Sequence, residues 1–295
     1  MAEEIGTSAP PAYIDPPELV ARVEALSAIP AGESLPSDAE HVVFLVLDLL
    51  EAGDVRSARK DAEGTWRAVH WVKRGILLAF RAGTVVDMSP PGGVFRFYDK
   101  RTIPPRHLGI GHGVRIVPGG SIIRRGSYVA PGVVCMPPMF VNAGAWVGRG
   151  TMIDSHALVG SCAQIGERVH LSAAAQIGGV LEPVNAAPVI IEDDVVIGGN
   201  CGVYEGTVVR SRAVLAAGTV LTRGTPVFDL VNEKVIRASP ESPLEIPAGA
   251  VVVPGARAVS GGWGKEQGLS LQTPVIVKYR DERTDLSTAL ESWLR

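Results

Sequence analysis

Aliphatic side chains recur at every sixth position through the middle of the chain, between residues 117 and 177. Small residues stand two positions before most of them. A helix repeats its apolar face every 3.6 residues and a half-buried strand every second residue, so neither element explains the pattern. A hexapeptide period is typical of a parallel β-helix, in which each hexapeptide forms one flat side of a coil. The repeated positions are Val117, Ile123, Val129, Cys135, Val141, Val147, Ile153, Val159, Ile165, Leu171 and Ile177.

Three flat sides close one triangular coil of the left-handed form, so residues about eighteen apart are expected to stack. Val117, Cys135, Ile153 and Leu171 should then form one ladder inside the coil. The predicted fold class is mainly β: a left-handed parallel β-helix of hexapeptide repeats, with a small α/β N-terminal domain and a C-terminal extension.

The hexapeptide period is interrupted twice. The step from Ile177 to Ile191 is fourteen residues instead of six, which predicts a loop excursion at about 178–190. A second excursion at about 228–245 is expected to form a hairpin, after which Ile246 and Val252 resume the period. Insertions in a repeat coil form loops on one face, which is often the binding face.

Sequence on either side of the repeats predicts additional elements. Apolar positions at helical spacing predict helices near residues 16–29, 37–52 and 72–81, whereas residues 84–113 are expected to be irregular. Leu286, Leu290 and Leu294 predict a short helix near the end of the chain. The predicted domains are a mainly helical α/β domain over 1–108, the β-helix over 109–258 and a C-terminal extension over 259–295.

Composition narrows the possible functions. A net charge of −3 over 295 residues is unlike a dedicated nucleic-acid binder, which carries a strongly basic face. No apolar run approaches the roughly 20 residues of a membrane span, and the beginning of the sequence has no signal-peptide pattern. Cys135, Cys162 and Cys201 lack metal-ligand spacing, so no metal site is expected. These features predict a cytoplasmic protein.

Several longer runs are more specific than the period. One is Gly-Ser-Cys-Ala-Gln-Ile-Gly over 160–166, and another is Gly-Gly-Val-Leu-Glu-Pro over 178–183. Together with Gly-Thr-Met-Ile-Asp over 150–154, the helix over 71–81 and Val-Ile-Val-Lys over 275–278, they resemble the tetrahydrodipicolinate N-succinyltransferase family. The resemblance covers roughly residues 37–280.

The resemblance implies an acyl transfer in diaminopimelate and lysine biosynthesis. Succinyl-CoA and tetrahydrodipicolinate, with water, would give N-succinyl-2-amino-6-oxopimelate and CoA. Succinyl-CoA is then a co-substrate, and no permanently bound cofactor is expected. The partners would be a small dicarboxylate acceptor, the acyl-CoA and two further copies of the chain, in a homotrimer with sites between subunits.

Two acidic residues are the candidate catalytic groups. Asp154 directly follows the inward-facing Ile153, and the resemblance places an active-site acid there that also binds substrate. Glu205 matches another glutamate of the family, but the best-known members carry a proposed catalytic glutamate three residues earlier, where this chain has Gly202. Either acid could instead be a turn residue at a corner of the coil.

The other candidates are binding residues. The resemblance implies that Arg115 contacts the acceptor, although an arginine in the first coil could simply cover the open end of the repeat. Gly178 and Gly179 would let the thioester arm approach the backbone closely, or they could only form the exit into the loop. Lys265 and Lys278 are candidates for binding the CoA phosphates. The alternative is that both lysines are only solvated.

Two histidines and two other functions remain as alternatives. His156 and His170 are both expected to face outward, and either could act as a base near neutral pH. The donor could be acetyl-CoA with the same acceptor, because the residues alone do not distinguish the two acyl groups. The chain could also be a β-helix scaffold without catalytic activity.

Overall fold

The structure is a computed structural model and describes residues 13–281. Each hexapeptide forms one two-residue strand, and strands of successive coils pair in parallel. The first side comprises β5 (Arg115–Ile116), β8 (Val134–Cys135), β11 (Met152–Ile153), β14 (His170–Leu171), β17 (Val196–Ile197) and β20 (Val214–Leu215). The second comprises β6 (Ile122–Ile123), β9 (Phe140–Val141), β12 (Leu158–Val159), β15 (Gln176–Ile177), β18 (Gly202–Val203) and β21 (Val220–Leu221). The third comprises β7 (Tyr128–Val129), β10 (Trp146–Val147), β13 (Gln164–Ile165), β16 (Ile190–Ile191), β19 (Val208–Val209) and β24 (Glu245–Ile246).

The repeated aliphatic residues fill the interior of the coils. Ile153 lies between Cys135 and Leu171 in register, and all three side chains are fully buried in one hydrophobic cluster. The stacking prediction was wrong for the first coil, where Ile116 rather than Val117 pairs with Cys135. Strand β5 is the outermost strand of its sheet, so no earlier coil holds its register and Ile116 remains exposed.

The N-terminal part forms a separate hydrophobic cluster. It contains helices α1 (Pro17–Ser27), α2 (Ala39–Ala52) and α3 (His70–Ala82), which pack on one another. Two antiparallel pairs accompany them: β1 (Ala58–Lys60) with β2 (Trp66–Ala68), and β3 (Val85–Asp87) with β4 (Tyr98–Lys100). The second pair corrects the prediction that residues 84–113 are irregular. Its strands have three residues each, too short for a periodic signal.

This N-terminal part packs on the third side of the coil. Ser57 Oγ donates to the carbonyls of Gly144 and Cys162, at 2.8 and 3.1 Å, and both oxygens belong to the repeat. The Arg56 guanidinium lies 3.9 Å from the centre of the Trp146 ring and donates to Gln164. Polar contacts therefore join the N-terminal part to the coil, and Ala143 and Cys162 extend its hydrophobic cluster into the repeat.

The C-terminal part extends the first side. Strand β25 (Ala250–Ala258) pairs with β20 and, in antiparallel register, with β26 (Ser270–Tyr279), with α4 (Gly262–Glu266) at the tip of this arm. The second excursion forms the predicted hairpin, β22 (Val227–Asp229) with β23 (Lys234–Ile236). The helix predicted around residues 286–294 lies outside the described residues. Within residues 13–281, no helix is long and apolar enough to cross a membrane.

Candidate active site

Asp154 lies at the corner between the first and second sides. It follows β11, and its backbone N–H donates to the Leu171 carbonyl of the next coil at 2.9 Å. Its Oδ1 accepts the backbone N–H of Ser155 at 2.7 Å, which fixes the direction of the carboxylate. About a third of the side chain remains exposed, at 32%. The carboxylate is therefore partly accessible to a substrate.

His170 is the side chain that the fold places beside this carboxylate. It stacks on Met152 in register, and its Nε2 lies 3.9 Å from Asp154 Oδ2. His170 faces outward, as predicted, because Leu171 is the residue of β14 that fills the interior, and 18% of its side chain is exposed between its neighbours on the face. A separation of 3.9 Å is longer than a hydrogen bond, so the imidazole and the carboxylate are neighbours without a hydrogen bond between them.

The second histidine near Asp154 belongs to the turn itself. His156 has a φ of +62°, which is uncommon for a residue with a side chain. Its carbonyl accepts the Gln176 Nε2–H group from the next coil at 3.1 Å. The imidazole of His156 is exposed, and we assign the residue to the structure of the corner.

Glu205 lies at the corner between the second and third sides, following β18. Its φ is +54°, and its Oε2 accepts the backbone N–H of Arg223 from the next coil at 2.8 Å. This bond gives the carboxylate a role in holding the turn, as the sequence-based alternative allows. A catalytic role for Glu205 remains a prediction.

Asp154 and Glu205 are not brought together within one chain. They lie at different corners, and two steps along the first side, from Met152 to His170 and on to Val196, separate their coils. Successive strands are about 4.8 Å apart, so the two coils are offset by about 10 Å along the axis. A site that uses both acids would need residues from two copies of the chain.

Gly178 and Gly179 open the first excursion, and their lack of side chains has an internal reason. A Cβ on Gly178 would lie 2.7 Å from the Tyr204 ring, and one on Gly179 would lie 2.6 Å from the backbone nitrogen of Ser161. The protein itself therefore approaches both glycines closely. Their proposed contact with a thioester remains a prediction.

The excursion is held by a buried cation that sequence reasoning missed. Lys73 lies on α3 and is fully buried, and its Nζ donates to the carbonyls of Pro183 and Ala186 at 3.1 and 2.8 Å. Burial lowers the pKa of Lys73 below its usual value. A lysine on an amphipathic helix gives no sequence signal for such a contact, because its partners are backbone atoms far along the chain.

Three predicted cationic binding residues lie far apart in the chain's fold. Arg115 is exposed on β5 in the first coil. Lys265 is exposed on α4 at the tip of the C-terminal arm, and Lys278 on β26 lies 3.5 Å from Asp281. Within residues 13–281, no group of three or more His, Cys, Asp and Glu side chains could hold a metal ion.

The coil of hexapeptide strands and the family models together define a hexapeptide-repeat transferase. The model described as "Tetrahydrodipicolinate N-succinyltransferase N-terminal" matches residues 24–82, and "Hexapeptide repeat of succinyl-transferase" matches residues 188–223. The fold is accordingly mainly β, a left-handed parallel β-helix, as predicted.

Relatives with one shared name match nearly the whole chain. The 2,3,4,5-tetrahydropyridine-2,6-dicarboxylate N-succinyltransferase of Rhodopseudomonas palustris is 41% identical, over 84% of this chain and 87% of the relative. The Polynucleobacter asymbioticus protein of that name is 41% identical over 89% and 92%, and the Nitrobacter hamburgensis protein is 43% identical over 84% and 87%. The chain therefore belongs to the tetrahydrodipicolinate N-succinyltransferase family, and the predicted resemblance is confirmed.

Proposed function

We propose that this chain transfers a succinyl group from succinyl-CoA to the amine derived from tetrahydrodipicolinate, in diaminopimelate and lysine biosynthesis. The observation that carries this proposal is the extent of the similarity, which reaches 92% of the length of a relative bearing that activity in its name. The chain is thus a CoA-dependent acyltransferase of this family, and succinyl-CoA is its co-substrate. A cytoplasmic location suits such a biosynthetic reaction.

In the proposed reaction the amine attacks the thioester directly. Its nitrogen forms a bond to the carbonyl carbon, the carbonyl oxygen takes up the negative charge, and the C–S bond then breaks to release the CoA thiolate. The amine must lose a proton to complete the transfer, and the carboxylate of Asp154, about a third of which is exposed, would accept it. Its bond from the Ser155 N–H holds the carboxylate in one direction for this step.

The proposed assembly is a homotrimer whose sites lie between subunits. In one chain, the corner of Asp154 and the corner of Glu205 face different directions, at the two ends of the second side. Side-by-side packing of coils would set the Asp154 corner of one copy against the second side of its neighbour. Both acids would then line a single cleft, with Glu205 as the second catalytic acid.

The binding residues in this proposal follow the charges of the two substrates. Arg115 would pair with a carboxylate of the acceptor, since a guanidinium can bind a carboxylate through two hydrogen bonds. Lys265 and Lys278 would meet the phosphates of CoA, and the excursion that begins at Gly178 and Gly179 would border the thioester. Lys265, at the end of a long two-stranded arm, can reach a molecule that lies beyond the coil.

The test is thiol release by the purified protein with the cyclic acceptor and either succinyl-CoA or acetyl-CoA. We expect acceptor-dependent release with succinyl-CoA, and a much lower kcat/KM with acetyl-CoA. Faster release with acetyl-CoA would change the donor and keep the class of enzyme. No release with either donor would contradict the proposed function and favour a scaffold.

A further inference from the structure

Tyr204 holds its ring in a cradle of two glycines on the second side of the coil. A Cβ on Gly178 would lie 2.7 Å from Cδ1 of the ring, and a Cβ on Gly202 would lie 2.5 Å from Cε2. Gly202 is the outward-facing residue of β18, and Tyr204 comes directly after the end of this strand. The ring therefore folds back over its own strand, in space that any other residue at 178 or 202 would fill.

The hydroxyl at the end of this ring is not used by the described fold. It lies 3.0 Å from where a Cβ of residue 202 would stand, and it has no hydrogen-bond partner among residues 13–281. Tyr204 itself is half-buried, and its hydroxyl oxygen remains accessible to solvent. Buried or pinned phenols usually find a partner for their O–H group. A ring fixed on one face with its donor unengaged is a preorganised hydrogen-bond donor.

Tyr204 precedes Glu205 at the end of the second side, which the proposed assembly sets against the Asp154 corner of a neighbouring copy. Gln176 is the register partner of Gly202 on the adjacent coil, so it lies beside the ring. The Gln176 amide donates to the carbonyl of His156, two residues from Asp154. Two coils, about 10 Å along the axis, separate the ring from the Asp154 of its own chain, so the Asp154 that completes the site belongs to the neighbouring copy.

We propose that the Tyr204 hydroxyl is a further catalytic group, which donates a hydrogen bond to the carbonyl oxygen of the thioester. This inference rests on the proposed function. When the amine nitrogen bonds to the carbonyl carbon, the oxygen gains negative charge, and a donor already in place stabilises it without rearrangement. The proton of the amine goes to Asp154 of the neighbouring copy, and the electron pair of the C–S bond leaves with the CoA sulfur. Tyr204 keeps its own proton throughout.

Two variants separate the hydroxyl from the position of the ring. Tyr204→Phe removes only the oxygen and leaves the cradle filled. Gly202→Ala keeps the oxygen but places a methyl group 2.5 Å from the ring, so the ring must move. Two matched controls are Tyr98→Phe, at a tyrosine exposed on β4, and Gly111→Ala, where a Cβ meets no atom within 4 Å.

We expect Tyr204→Phe to lower kcat and kcat/KM for succinyl-CoA together by roughly a hundredfold, since the contact strengthens only in the transition state. Gly202→Ala should lower kcat by roughly tenfold or more, because a displacement of about 1 Å at a reacting centre is costly. Both controls should keep the wild-type rate, and the melting temperatures of Tyr204→Phe and Tyr98→Phe should match that of the wild type.

Two results would overturn this assignment while leaving the proposed function intact. One is a Tyr204→Phe variant whose kcat stays within about twofold of an active wild type, a change too small for a lost oxyanion donor. The other is a variant whose loss of rate comes only with a raised KM and a lower melting temperature, which is the result of a packing role. A wild-type protein that releases no thiol with either donor contradicts the proposed function itself, so the two failures are distinguishable.

Discussion

Replacing Lys73 with methionine tests how helix α3 holds the loop that leaves the coil after Ile177. Methionine keeps most of the length of the lysine side chain but removes its charge and its donors. In the wild type these donors reach the carbonyls of Pro183 and Ala186, and they are the described polar contacts of a fully buried ammonium group. Leu181 packs against the same N-terminal cluster, so the anchor of the loop is partly apolar as well.

The expected change in stability is a difference between two larger effects. Hydrogen bonds from a charged donor contribute about 1.5–3 kcal/mol each, whereas moving an ammonium group out of water costs several kcal/mol. Methionine removes both effects and leaves two carbonyls without their donor, at about 1–3 kcal/mol for each carbonyl that water cannot reach. Pro183 is exposed and Ala186 is half-buried, so the loop can shift to expose them. We therefore expect a net loss of about 1–3 kcal/mol in the free energy of unfolding.

The same substitution changes how stability depends on pH. Burial lowers the pKa of Lys73 in the folded protein, whereas the unfolded chain keeps the ordinary value near 10.4. Between these two pKa values the unfolded state binds more protons than the folded state, so the free energy of unfolding rises with pH. The stability of the wild type relative to Lys73→Met should therefore increase toward pH 10.

Thermal unfolding at a fixed protein concentration and limited proteolysis of residues 182–187 measure these effects. We expect a melting temperature lower by a few degrees and faster cleavage within the loop. Lys234→Met is the matched control, because Lys234 is exposed on a hairpin strand and should change neither quantity. A Lys73→Met variant with wild-type stability, an uncleaved loop and no added pH dependence would refute the reasoning.

Three further substitutions test the candidate site by steady-state thiol release. Asp154→Asn keeps the acceptor for the Ser155 N–H but loses the base, so kcat should fall by roughly a hundredfold or more with the assembly intact, and near-wild-type turnover would remove Asp154 from the mechanism. Glu205→Gln still accepts the Arg223 N–H, so its stability should hold, and a catalytic role requires at least a roughly tenfold lower kcat. His170→Gln should lower kcat by roughly tenfold with an unchanged melting temperature, because His170 lies beside the Asp154 carboxylate, whereas a lower melting temperature with the same loss of rate would indicate only packing.

The backbone of the coil was predictable because each hexapeptide obeys the same local rule. Ile153 and Leu171 stack as a period of six on three sides requires, and Val252 returns to register with Leu215 after the second excursion. The rule also places His170 beside Met152, and hence beside Asp154. The eighteen-residue step from Met152 to His170 therefore predicts the proximity of His170 and Asp154 from the sequence, because the stacking applies to polar residues as well as to apolar ones.

The contacts between the N-terminal part and the coil could not be derived in this way. Lys73 meets its carbonyl partners across about 110 positions of sequence, and Ser57 meets Gly144 across 87. No period connects such residues, and their partners are backbone atoms that any residue would supply. The stacking prediction was wrong for the first coil for a related reason. Strand β5 pairs with a strand on one side only, so the repeat does not hold the register of Ile116.

The glycine cradle under Tyr204 follows from the period only in part. A strict eighteen-residue step would place Tyr204 beside Ala186, but the excursion adds residues within this coil and the true neighbour of Val203 is Ile177. Since Ile177 pairs with Val203, Gly178 lies beside Tyr204 on the adjacent coil. Gly202 precedes Tyr204 by two positions in the sequence. An insertion that moves a loop out of the coil therefore also changes which residues stack on the coils beyond it. Here it sets Gly178 beside Tyr204, whose ring also covers Gly202, and the candidate donor depends on both glycines.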